Sequence, residues 1–138
     1  MTRLALALLL LALPAAAQDK AVKDLDGSYT VKAFERGGKP VPDEVKKGVS
    51  AVGIAGGKLT LVAGGKSLTA TVRVTAGKTP PEIDLYPQGP EYEKNRKFLG
   101  VYEVKDGQLT IVYVEDGERP KDLKGDAAGA TKLVLVKK

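Results

Sequence analysis

Phe98 to Val114, FLGVYEVKDGQLTIVYV, is the stretch whose reading decides the fold. Asp106-Gly107 lies between two β-rich runs, and a type I′ hairpin turn needs positive φ at both central positions, which Asp-Gly tolerates cheaply. The turn fixes the register: Lys105 faces Gln108, Val104 faces Leu109, Glu103 faces Thr110, Tyr102 faces Ile111, Val101 faces Val112 and Gly100 faces Tyr113. Side chains alternate across a strand. Phe98, Tyr102, Val104, Leu109, Ile111 and Tyr113 therefore share one face, and Glu103, Lys105, Gln108 and Thr110 share the other. The first face is expected to be core. Gly100 opposite Tyr113 leaves bare backbone for the phenol ring to cover.

Two Gly-Gly pairs extend this pattern toward the N-terminus. Gly56-Gly57 as a two-residue turn pairs Ile54 with Leu59 and Val52 with Leu61; Gly64-Gly65 likewise pairs Leu61 with Leu68 and Leu59 with Ala70. Both turns put the same apolar set on one face, and the long strand continues with Val72 and Val74 inward. Gly27 to Phe34 reads as a first strand with Tyr29, Val31 and Ala33 on one side, Glu82 to Tyr86 alternates again, and Lys132 to Val136 closes the chain. Lys39 to Lys47 reads as a loop with one short helical turn. Eight strands with at most one short helix predict an all-β fold, an eight-stranded antiparallel up-and-down barrel. Its interior is just wide enough to be filled by side chains or to hold one small ligand.

Met1 to Ala17 has the make-up of a signal peptide, with Arg3 as the positive region, Leu4 to Leu13 as the apolar run and Ala15-Ala16-Ala17 as the small-residue cleavage site. The chain is expected to be cut near Ala17-Gln18 and to be secreted or periplasmic. The apolar run falls short of the roughly 20 residues a bilayer crossing needs, so no stable membrane insertion is expected after cleavage. Residues 18–138 then form a single domain, and with no cysteine in the chain it must be held by apolar burial.

With Arg3 removed, 21 basic and 17 acidic residues leave a net charge of +4. The lysines are scattered and the few aromatics fall in strand patterns, so no base-stacking platform and no nucleic-acid partner is indicated. The absence of His and Cys excludes the usual zinc, copper and haem ligand sets and a His-assisted nucleophile, so no metal, cofactor or enzymatic activity is expected. Asp24-Leu25-Asp26-Gly27 has the look of the start of a calcium loop but lacks the later ligands. Glu91, Glu93 and Glu103 are the acids available as a carboxylate pair for glycoside hydrolysis, without sequence evidence of a cleft.

Leu25 to Tyr29, Gly37 to Pro42, Ile83-Asp84-Leu85, Leu99 to Tyr102, Gly107 to Thr110 and Glu118-Arg119-Pro120 together give the chain a resemblance. It resembles the small secreted lipocalin-like domains of unknown function that occur in many copies in planctomycete-type bacteria. The resemblance implies a lipocalin-like (calycin-like) barrel over residues 18–138 and no activity. That family usually has Trp in place of Tyr29 and Phe in place of Leu123.

Loop parity sorts the connections onto two ends. The Gly56-Gly57 turn, the Ala76 to Pro81 link and the Asp106-Gly107 turn share one end; the Gly37 to Gly48, Gly64-Gly65, Pro87 to Lys97 and Glu115 to Ala130 connections share the other. Long loops on a rigid scaffold carry recognition, so the second end is where a site is expected. The inward residues nearest it are Ala33, Ser50 and Ala63 on one side and Leu68, Leu85, Phe98, Tyr113 and Leu133 on the other. Small side chains there leave room for an apolar cavity, unless Val41 or Val45 folds in. Phe98, Tyr113, Arg119, Ser50 and Ala63 are the candidate contacts for a small apolar ligand. Arg119 has two readings: a bidentate partner for a ligand carboxylate or phosphate, or a brace for its own loop. Leu99, Val101, Val112 and Val114 form an apolar patch on the outward hairpin face, explained by a covering segment or by a protein partner. The alternative to ligand binding is thus a cell-envelope or extracellular interaction module with a solid barrel.

Overall fold

The computed structural model describes residues 15–90, 92 and 96–138, with side chains from Gln18 onward. Arg3 and the Leu4 to Leu13 run lie outside the described residues, as do Glu91 and Glu93. Helix α1 (Ala15–Lys23) leads into β1 (Gly27–Arg36), β2 (Lys39–Pro40), a short helix α2 (Asp43–Gly48), β3 (Val49–Ala55), β4 (Lys58–Ala63), β5 (Lys66–Thr75), β6 (Glu82–Gln88), β7 (Phe98–Lys105), β8 (Gln108–Val114) and β9 (Ala130–Lys137). Strands β1 and β3 to β9 pair in chain order, all antiparallel, and β1 pairs with β9 to close the barrel. The two-residue β2 adds a ninth strand outside that ring. The described residues carry two helices where the sequence predicts at most one.

The registers predicted from the three turns are the ones observed: Tyr102 opposite Ile111, Gly100 opposite Tyr113, Val52 opposite Leu61 and Leu61 opposite Leu68. Asp106 and Gly107 both have positive φ, at 53° and 74°, as a type I′ turn requires. A side chain at Gly100 would place its Cβ 2.6 Å from the Val112 carbonyl oxygen and 3.0 Å from the Tyr113 Cβ, so only glycine fits there. Leu25, Ile54, Ile83, Leu109, Ile111 and Leu135 are fully buried in the core.

Two β-bulges change the parity read from sequence. One extra residue between Val31 and Ala33 shifts the β1–β9 register, so that Phe34 opposite Leu133 joins the interior and Ala33, opposite Val134, leaves it. A second, between Val49 and Ala51, turns Ser50 out of the inward series and lets Val49 face the core. Both correct the sequence-based placement of Ala33 and Ser50 as inward residues. They flank the place where β1 and β3 part after only the Gly27 to Tyr29 pairing, and a bulge supplies the local bend such a separation needs.

Helix α1 closes the end that carries the short turns. Ala21 and Val22 pack on the core, and the Gln18 Oε1 accepts a hydrogen bond from the Ala76 backbone N–H at 3.1 Å. Beyond the helix Leu25 enters the core, the Tyr29 hydroxyl donates to the Leu25 carbonyl at 2.6 Å, and the Gly56 N–H donates to Asp26 Oδ1 at 3.2 Å. The acids of Asp24-Leu25-Asp26-Gly27 are engaged in ties of this kind, Asp24 with Lys20 at 3.2 Å. Val104, read as a core residue, is 51% exposed: the β6–β7 pairing ends at Val101, so the last residues of β7 have no β6 neighbour.

Candidate functional site

Pairing leaves the opposite end with longer connections, and there the interior is incompletely filled. An apolar cavity of about 100 Å³ opens between Leu59, Leu61, Leu68, Ala70, Leu85, Pro87, Tyr92, Phe98, Ile111, Tyr113 and Leu133. One wall is aromatic. Phe98 and Tyr113 stack with ring centroids 5.6 Å apart and 12° between planes, and Tyr92 meets Phe98 edge-on at 6.5 Å. Phe98 and Tyr113 are brought together as their shared strand face predicts. Leu68, at the edge, is 39% exposed, which a well-filled barrel end would not leave so bare. Val45 is exposed on α2 and does not plug the opening.

The other sequence-based candidates sit elsewhere. Ala63 lies opposite Val49 and is not part of the cavity wall. Ser50 lies in a separate crevice where β1 and β3 diverge, beside Tyr29, Val31, Asp43 and Lys46, its hydroxyl 3.4 Å from the Val62 carbonyl. Ala70 and Tyr92 also line the cavity: the turns place Ala70 inward, but Tyr92 comes from an irregular loop with no alternating pattern to orient it.

Arg119 is a brace. Its Nη1 donates to the Gly100 carbonyl at 2.8 Å and to the Ile83 carbonyl at 3.2 Å, its Nη2 lies 2.7 Å from Asp84 Oδ1, and its Nε lies 3.5 Å from Glu82 Oε2. The partners are carboxylates of β6, so the brace ties the loop to the barrel wall. With the three side chains only 22 to 25% exposed, the cluster is shielded enough to hold more firmly than an ordinary surface pair. It pins residues 115–129 against the outside of β6 to β8. Val101, Val112, Val114 and Ala130 are buried under this segment, with Leu99 and Leu123 packed against them, so the outward apolar patch is covered by the chain itself.

Charge is placed unevenly around the open end. Burial is the main cause that raises the Tyr113 hydroxyl above the ordinary phenol value, with Glu115 and Tyr92 adding and Thr131 and Arg36 opposing. Burial likewise raises Tyr29 and Tyr102, assisted by Asp26 and Asp24 respectively. All three phenols are therefore neutral donors at neutral pH. Arg96 lies over the Phe98 ring at 5.8 Å and 3.9 Å from Glu115. The Arg36 guanidinium lies over Phe34 at 5.5 Å. No family, no curated protein and no solved structure matches this chain.

Proposed function

We propose that the protein is an exported barrel that holds a small apolar molecule at its long-loop end. The observation that carries this reading is the unfilled apolar cavity under the Phe98–Tyr113 stack, with Leu68 bare at its edge. Interiors are ordinarily packed to crystal density, so a void ringed by this many large apolar side chains is a place where a ligand would recover lost contacts. The chain's lack of His and Cys favours binding over turnover.

Export is supported by the N-terminal sequence and by how α1 is seated. Among the described residues, the side chains that attach this segment to the barrel, Gln18, Ala21, Val22 and Leu25, all follow Ala17, so a cut there keeps these contacts while shortening α1 by Ala15 to Ala17. The resemblance to secreted lipocalin-like domains points the same way.

Titration of the mature chain with 1-pentanol, followed by amide NMR, tests the reading. Saturable shifts at Phe98, Ile111 and Tyr113 are expected, and their loss in Ala70→Leu, which fills the cavity, with circular dichroism unchanged. A flat titration in the unmodified protein, or shifts unaffected by Ala70→Leu, would overturn it.

A further inference from the structure

The bulge in β1 brings an arginine into the cross-strand row of Tyr113, which lines the cavity. Past that extra residue Phe34 faces inward, and alternation puts Arg36 on the same face, stacked over Phe34. Arg36 stands opposite Thr131 on β9, and Thr131 stands opposite Tyr113 on β8. Directly opposed residues share a face, so Arg36, Thr131 and Tyr113 form one row across three strands at the rim. The Tyr113 hydroxyl is protonated at neutral pH, so it donates. Glu35 is turned to the other face. The rim row thus combines a permanent cation with hydroxyl groups, while the cavity below it is lined mainly by apolar side chains.

Size limits what lies below. A cavity of about 100 Å³ is smaller than the roughly 150 Å³ that admits benzene, so the buried part of a ligand is a few aliphatic carbons. So short a tail gives little affinity or specificity alone, and the head group must supply the rest. Arg96 has Glu115 beside it at 3.9 Å, whereas Arg36 pairs with no carboxylate among the described residues. A planar anion matches a guanidinium and a phenol hydroxyl by charge-assisted hydrogen bonds.

We infer that the molecule held at this end is a short-chain aliphatic monocarboxylate, its tail in the cavity and its carboxylate at Arg36 and Tyr113. The inference rests on the ligand-binding reading above and adds the chemical class. Pentanoate and 1-pentanol share a tail and differ in the head, so titrating both by NMR and calorimetry separates the two ideas. Pentanoate is expected to bind about tenfold more tightly at low salt. That ratio should fall to about one in Arg36→Gln, recover in part in Arg36→Lys, and shrink in 1 M salt, where exposed charges are screened. Saturable 1-pentanol binding with pentanoate no tighter would overturn this inference and leave the apolar site standing. A preference that survives Arg36→Gln would overturn the assignment of the head to Arg36. No saturation by either compound would overturn both.

Discussion

The two ends of this barrel are built from the same strands and finished in opposite ways. Where the connections are tight, no loop is long enough to cover the opening, and the N-terminal segment does it, with Val22 and Leu25 inserted and Gln18, Asp26 and Tyr29 tying it to the rim. Where the connections are long, the largest of them runs down the outside of β7 and β8 instead of over the mouth. The difference teaches that loop length alone does not decide which end is closed. What decides it is where apolar surface needs cover: the outward valines of the central hairpin claim the long excursion, and at the mouth, among the described residues, Tyr92 reaches the cavity while Leu68 stays partly exposed.

The comparison can be broken most forcefully at the closed end. Leu25→Ala removes a fully buried side chain from the seat of the N-terminal segment and should cost about 2–5 kcal/mol in chemical denaturation. A loss under about 1 kcal/mol would show that the closure is cosmetic. Next in size is the strap on the outside. Arg119→Met leaves Asp84, Glu82 and two backbone carbonyls without their shared donor and should cost roughly 1–3 kcal/mol. It should also raise binding of an apolar fluorescent dye as the hairpin valines are uncovered; unchanged dye binding would mean that Leu123 and its neighbours hold the segment unaided. The smallest effect belongs to the open mouth. Leu68→Ser should change stability by about 1 kcal/mol, since the residue is 39% exposed and has less burial to lose than a core leucine. A larger loss by thermal denaturation would mean that the mouth is a core after all.

Much of this was legible in the chain. Each of the three glycine-containing turns dictates its own pairing, and Tyr102, Ile111, Val52 and Leu85 are buried as alternation requires. The shared face of Phe98 and Tyr113 gave the aromatic wall of the cavity. Three things were not legible. A bulge adds one residue with no compositional mark, so Ser50 and Ala33 were assigned inward when Val49 and Phe34 take those places. The helical state of Ala15 to Lys23 was hidden behind a leader-like composition and a polar surface. Arg119 could be recognised as a brace from its loop, but its carboxylates come from a strand 35 and 37 positions earlier, a separation that local pattern does not span.

The extra residue in β1 also sets the sign of the doorway. In an unbroken strand Glu35 would point into the lumen, and an acidic threshold would repel an anion where Arg36 would attract one. Because Lys32 is taken up as a bulge and not as a regular strand residue, Arg36 stands at this entrance in place of Glu35, with no change in composition or net charge.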